Sequence, residues 1–332
     1  MGSDIENFVK WIRANDLTPI MSTHSDDLEF LTHLDLSKRN LKDLPESIGV
    51  LKNLNVLKLS NNRIRKLPKA IGELKKLRNL QCENNLIEEL PETIGDLENL
   101  MILNLNVNRI KVLPKGFYKL DSLTRLTLAS NRIERLDSEF KNLSKLLYLS
   151  LETNELKELP VDIFELMKQL YYLDLSFNHL NYLPSSLSKI KELETLLLEG
   201  NTIKELPSLE SHDMLLKLDL SDNNLESLDF DISKLEDLKI LRLDNNLLTS
   251  IPNEICNLQN LMSLSVSSNK LKILPENIGN INTLHELDVE DNELETLPKS
   301  IEELENLKEL YIDNNKNLKK PEKLELEFCD VK

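Results

Sequence analysis

The chain has 332 residues, 30% of them charged, 40% hydrophobic and only 5% aromatic, with a formal net charge of −16. So acidic a balance argues against nucleic acid and against an anionic membrane surface, because both are held by clustered Lys and Arg. Three scattered cysteines, Cys82, Cys256 and Cys329, form no disulfide framework and point to a reducing, cytoplasmic setting.

In chain order, residues 1–30 come first and stand apart from the rest. Ser3 and Glu6 have the spacing of a capping box, and Ile5, Phe8, Val9 and Ile12 fall on one helical face beside Trp11. Asn15, Asp16 and Pro19 end that helix. Ser25 to Asp27 start a second short one carrying Leu28, Phe30 and Leu31. The segment is expected to be a helical cap, since a stack of repeats needs its first open core layer covered. No basic start followed by an apolar run marks a secretory leader, and no apolar run approaches the ~20 residues of a membrane span.

From Leu31 one phrase recurs. The stretch Leu54 to Lys76 reads LNVLKLSNNRIRKLPKAIGELKK, and copies begin at Leu31, Leu54, Leu77, Leu100, Leu123, Leu146, Leu170, Leu193, Leu215, Leu238, Leu261, Leu284 and Leu307. A period near 23 residues is the signature of a stacked solenoid. Counting from each first leucine, offsets 0, 3 and 5 frame a short strand with offsets 3 and 5 on one face, so stacked copies give a parallel sheet. Offsets 10, 13, 17 and 20 turn inward from the other walls, the last two on a helical turn.

Asparagine fills offset 8 in twelve of the thirteen copies, from Asn62 to Asn315, with Arg39 in the first. An amide carries donors and an acceptor, and a stack of them can satisfy backbone groups at the bend from one copy to the next. Eleven of the twelve prolines sit at offset 14, where a missing N–H costs little and the outer turn begins. Asp137 and Asp229 replace proline in two copies and are expected to cap the same turn. The sixth copy is one residue longer than the regular copies, its VDIFELMKQL suggesting a longer outer helix. The eighth is one short, and its SLESHDM looks less helical. Copy thirteen is degenerate, with Asn317 and Lys320 in core slots. It leads to a charged alternating segment, Lys323 to Phe328, expected to close the open sheet edge. The organisation is therefore a helical cap at 1–30, repeats at 31–321 and a capping strand at 322–332.

The pattern Leu-x-x-Leu-x-Leu-x-x-Asn-x-Leu-x-x-Leu-Pro-x-x-Ile-Gly-x-Leu, over more than 85% of the chain, resembles the leucine-rich repeat family, and in particular its 23-residue cytoplasmic subtype. That subtype occurs in Ras-pathway scaffolds and in many bacterial proteins, and the Lys, Asn, Ile and Glu bias hints at a bacterial source. The resemblance implies an α/β solenoid curved like a horseshoe, with the parallel sheet on the concave side, short helices or turns on the convex side, and partners docking on the sheet.

Core slots say nothing about a partner; offsets 2, 4, 6 and 7, expected to point out of the sheet, do. In copies four to eight they hold Ile102, Val107, Tyr148, Tyr172, Phe177 and Leu197, with Arg125, Thr127, Ser150, Asp174 and Thr195 nearby. Apolar and aromatic side chains facing out, with an arginine among them, have the composition of a hot spot; unselected drift is the other explanation. Tyr148 and Tyr172 share a column and are expected to stack. Copies nine to thirteen instead present Asp219, Asp222, Asp244, Glu286, Asp288, Glu290, Asp291, Glu309 and Asp313 against Lys217 and Arg242. This is an acidic patch suited to a basic segment, or simply a solvated face.

Catalytic chemistry is not visible. His24, His33, His179, His212 and His285 lie in different places with no cysteine at metal-ligand spacing. Cys82 takes a core leucine slot and Cys256 the outer glycine slot, and there is no phosphate loop or nucleophile elbow. No compact loop gathers six oxygens for calcium. The expectation is a monomeric, non-enzymatic scaffold that binds a protein without a cofactor. An exported bacterial effector is the alternative in location, and an enzyme or its regulatory subunit the alternative in chemistry.

Overall fold

The computed structural model describes residues 2–18, 22–319 and 330–331. The chain gathers into two compact units, Met1–Leu156 and Lys157–Lys332. Both follow from the repeat. In the first unit, β1 (His33–Asp35), β2 (Val56–Lys58), β3 (Asn79–Gln81), β4 (Ile102–Asn104), β5 (Arg125–Thr127) and β6 (Tyr148–Ser150) pair in sequence, all parallel. The register is one copy per strand: Leu57 lies opposite Leu34 and Leu80. Each strand covers only offsets 2 to 4, because offset 3 is the one leucine that must point inward between two outward residues. In the fourth copy Leu100, Leu103, Leu105, Ile110 and Phe117 are fully buried. Burying each such side chain is worth roughly 1.5–3 kcal/mol, so every layer carries its own core.

The asparagines make the connections expected of them. Asn62 donates through Nδ2 to the carbonyls of Leu59 at 2.8 Å and of Leu36, one copy earlier, at 2.9 Å. Its Oδ1 accepts the Leu41 N–H at 3.0 Å. The same three bonds recur around Asn108 and, in the second unit, around Asn223. Each amide thus closes its own bend and ties it to the preceding copy.

Outer-wall turns are 3-10 helices, as at Glu46–Val50, Lys69–Glu73 and Glu92–Asp96, each preceded by an extended proline. Three residues per turn makes offsets 17 and 20 eclipse, so both aim inward. The proline carbonyl accepts the first free N–H, Ile48 to Pro45 at 3.0 Å. Asp137 does not cap its turn through its side chain. The N–H it gains by not being proline instead reaches the Tyr118 hydroxyl oxygen at 3.4 Å.

At the start of the first unit, α1 (Gly2–Ala14) and α2 (Ser25–Glu29) precede β1. Phe8 and Ile12 are fully buried, Trp11 stacks on Phe8 at 5.7 Å, and α1 packs against the first outer turn. Because α1 already includes Gly2, Ser3 lies inside the helix rather than at its N-cap. Leu28 is buried, but α2 ends at Glu29, and Phe30 just beyond it is 74% exposed rather than carried on the helix as expected.

The second unit repeats the plan with β7 (Tyr172–Asp174), β8 (Thr195–Leu197), β9 (Lys217–Asp219), β10 (Ile240–Arg242), β11 (Ser263–Ser265), β12 (Glu286–Asp288), β13 (Glu309–Tyr311) and β14 (Asp330–Val331). Neighbours again pair parallel, in whole-copy register from β7 to β13, while β14 joins the edge with Asp330 opposite Glu309. Two expectations fail here. The long sixth copy has no outer helix; Ile163, Phe164 and Met167 are buried by successive three-residue turns, such as Ile163 N–H to the Pro160 carbonyl at 3.1 Å. Asp229 is engaged by the Ser227 hydroxyl at 2.6 Å, and the cap of that copy falls on Asp231, which accepts the Ser233 N–H at 3.1 Å. The short eighth copy has no helix, as expected, and His212 fills its inward slot. Pro19, Pro321, Cys329 and the expected strand Lys323 to Phe328 lie outside the described residues.

Candidate interaction face

The outward slots are not equivalent. Offset 2 stands on the strand and is mostly half-buried, because neighbours in one column lie ~4.8 Å apart and cover each other's flanks. Offset 4 ranges from exposed, at Asp35, Lys58 and Arg242, to recessed. Thr127, Ser150, Asp174 and Asp219 are all buried there. Where this slot is Asp or Asn, its oxygen accepts the N–H two residues on, as in Asp35 to Ser37, Asn104 to Asn106, Asp174 to Ser176 and Asp288 to Glu290, at 2.9–3.0 Å. These acids therefore shape the strand exit as well as lining the face.

Offset 7 holds a feature that hydrophobic periodicity does not reveal. In all thirteen copies its backbone is left-handed, with φ between 50° and 67°. Asn, Asp and Gly tolerate that conformation, and Asn61, Asn84, Gly200, Asp222, Asn245, Asp291 and Asn314 are the signal that could have found it. Val107 and Phe177 sit in the same slot, at φ 55° and 52°. They are 50% and 45% exposed, whereas Ile102, Tyr148, Tyr172 and Leu197 are half-buried.

On the first unit's face, register places Ile102, Arg125 and Tyr148 side by side. The Arg125 guanidinium carbon lies 3.7 Å from the Tyr148 ring centroid, a cation–π contact worth about 1 kcal/mol. Beside them Gln81, Asn104 and Thr127 form a neutral ladder, Thr127 donating to Asn104 at 2.9 Å. The outward slots of this unit balance Asp35, Glu83 and Glu152 against Lys38, Lys58 and Arg125.

The second unit's outward slots hold eleven acids against Lys217 and Arg242. Tyr172 and Asp174 lie on β7 and Leu197 on β8, with Asp174, Leu197 and Asp219 in one column. Burial pushes the Asp174 carboxyl up, opposed by bonds from Ser176 and by Lys217 and Tyr172. Glu199 is raised by burial and then by Asp219 and Asp222, and Asp288 by burial and then by Asp244 and Glu286. Glu290 is raised too, by burial and by Asp288, Asp313 and Asp291. Asp244 is drawn into the sheet by Ser265 and by the Ser267 backbone and hydroxyl. Asp222, beside Asn245, and Asp291 stand exposed on the rim, and Glu286 accepts the Ser263 hydroxyl at 3.0 Å.

Among the described residues no group of three His, Cys, Asp or Glu side chains is placed to hold a metal ion, and no helix is long and apolar enough to cross a membrane. Cys82 and Cys256 are buried and free, both thiols pushed up chiefly by burial. That is the opposite of what a nucleophilic cysteine requires.

Comparison with known proteins places this architecture. Profiles described as a leucine-rich repeat region and as leucine rich repeats match residues 69–146, residues 29–87, 122–180 and 144–203, and residues 237–258. No curated protein sequence matches the chain. Among solved structures, a Leptospira interrogans leucine-rich repeat protein, LIC12759, is 31% identical over 93% of this chain and 97% of its own, with a TM-score of 0.71. The plant peptide hormone receptor RGFR1, in complex with RGF2, is 26% identical with a TM-score of 0.75. The match covers 87% of this chain but only half of the receptor chain. A Listeria monocytogenes internalin, InlF, shares the fold at 20% identity and a TM-score of 0.68, over 92% and 93% of the two chains. From the thirteen-fold phrase, the asparagine ladder and the Leptospira relative matched along nearly its whole length, it follows that this chain belongs to the leucine-rich repeat family.

Proposed function

We propose that the chain is a non-enzymatic platform that binds a protein partner through the outward residues of its sheet. The observation that carries the reading is the placement of Val107 and Phe177. A bulky apolar residue in a left-handed slot costs ~1–2 kcal/mol of backbone energy, and half of each side chain is left facing water. The fold gains little in return, and strain of this kind collects where a surface is used. Arg125 stacked on Tyr148 adds a preorganised anchor. A relative solved with a bound ligand, RGFR1 with RGF2, is consistent with use of the repeat for recognition.

The test is affinity capture from the native organism with the wild-type chain and with Tyr148→Ala, Tyr172→Ala, Val107→Asn and Phe177→Asn. At least one substitution should weaken a true partner by ~2 kcal/mol or more. Equal capture by all four sinks the docking face, and turnover of a substrate abolished by a point mutation sinks the non-enzymatic reading. Buried free cysteines fit a reducing compartment. An exported effector would use the same face, and a translocation reporter fused to the first thirty residues separates the two locations.

A further inference from the structure

In the second unit the face carries an apolar ledge built by two successive copies. Phe177 fills the left-handed slot of one copy, and Gly200, at φ 67°, fills it in the next. The Phe177 ring lies over Gly200: a Cβ at position 200 would stand 2.5 Å from the ring's Cδ1 and 2.8 Å from Cε1. The glycine thus leaves the space into which the ring settles, while 45% of Phe177 remains exposed. Leu197, half-buried, lies on the strand that leads to Gly200. Packing on a glycine recovers only part of the ring's hydrophobic energy, so the ledge gains from a cover.

Its surroundings select the cover. Glu199 and the exposed Asp222 stand beside the ledge, and Asp219 shares a column with Leu197, so that three acids outnumber the cations Arg242 and Lys217 that act on Glu199. Burial, and then repulsion by Asp219 and Asp222, holds the Glu199 carboxyl up despite the pull of Arg242 and Lys217. A neutral apolar cover would strip water from these carboxylates without replacing it, and an acidic one would be repelled. An apolar group carrying a cation meets both demands, since the cation pairs with the rim and can also face the ring.

We infer that this ledge takes a segment of a partner protein in which an aliphatic or aromatic residue stands beside Lys or Arg, the apolar side chain on Phe177 and Leu197 and the cation on Glu199 and Asp222. The inference rests on the platform reading above and adds the chemistry of the occupant. The probe is a library of random short peptides selected on the immobilised full chain, with Kd measured for the enriched sequences at low and high salt. Enriched peptides should pair an apolar residue with Lys or Arg and lose at least about ten-fold in affinity on Phe177→Ser. On Asp222→Asn they should lose roughly three-fold and show a shallower salt dependence. Ser130, Ser268, Asn61 and Asn245 already occupy this left-handed slot elsewhere, so both variants keep the fold. Gly200→Ser, which displaces the ring without altering charge, should weaken binding in the same direction. Enriched peptides that are acidic or uncharged, or that bind Phe177→Ser undiminished, overturn the inference. So does binding of a neutral oligosaccharide at the same residues in place of any peptide. Peptides whose binding depends on Tyr148 and Arg125 alone would overturn the ledge and leave the platform standing; no peptide enriched and equal capture by all four earlier variants would remove both.

Discussion

The asparagine at offset 8 shows how much one side chain can decide. Asn108→Ala would leave the Ile87 N–H buried without its partner and take one of two amide donors from each of the Leu105 and Cys82 carbonyls, which Asn131 and Asn85 still reach. For one orphaned buried group the loss should be about 1–3 kcal/mol, read as a lower urea midpoint. Val107→Asn should act the other way, stabilising by about 1 kcal/mol as the backbone meets a residue suited to φ 55°. The asparagine's role was legible because its recurrence is nearly perfect. The left-handed slot before it was not, because Lys38, Val107, Thr153 and Phe177 interrupt an otherwise plain Asn, Asp, Ser and Gly column. His212 was legible only as a histidine without metal partners. Its ring is fully buried, 3.1 Å from the Leu209 carbonyl and 3.2 Å from that of Leu187. Burial holds its imidazole below the ordinary value, against the pull of those two carbonyls and Asp213. The unfolded chain therefore takes up a proton first, near pH 6.5, so the stability tied to His212 is present above that pH and is lost below it. Thermal melts between about pH 7 and pH 5 should show that loss, and His212→Leu should remove it.

Among the elements, successive 3-10 turns of the outer wall pack backbone against backbone at their glycines. A Cβ on Gly95 would stand 1.9 Å from the Gly116 carbonyl oxygen, which is backbone and cannot swing aside. Gly95→Ala should therefore destabilise by ~1–3 kcal/mol, measured by chemical denaturation of the first unit's repeats. Proline at offset 14 announced where these turns begin, because its chemistry tolerates few other places. The substitutes for proline were misread because a carboxylate goes to the nearest donor. Asp229 is met by Ser227, and in the fifth copy it is the backbone of Asp137 that finds the Tyr118 hydroxyl. The supposed helix of the sixth copy failed for a related reason. Ile163 and Phe164 are consecutive and Met167 is three residues on; short turns bury that spacing as well as a helix does.

For the molecule as a whole, charge is distributed unevenly: the first unit's outward slots are balanced while the second unit's carry eleven acids and two bases. That asymmetry could be read from the repeat once the register was known. Sequence did not show which acids are also structural, since Asp174, Asp219 and Asp288 accept backbone N–H groups that only the strand exit brings to them. Raised carboxyls such as Asp288 and Glu290 favour the folded state most at low pH. Their contribution is complete below the ordinary carboxylate range, near pH 4, and is lost as pH rises through the elevated folded values. At neutral pH Asp288→Asn, which keeps the acceptor for Glu290, should raise the melting temperature, by an increment that shrinks with added salt. The asparagine ladder has a consequence for how such a chain changes over generations. Asn62 reaches a carbonyl 26 residues back and is reached by an N–H 21 residues back, and Asn108 repeats both spans. Unequal crossing-over that deletes or duplicates one 23-residue block, begun at any phase of the phrase, restores both spans at the new junction. Inheritance can therefore lengthen, shorten or shuffle this protein in whole copies without disturbing a bend, and what such an event alters is the order of side chains presented on the sheet.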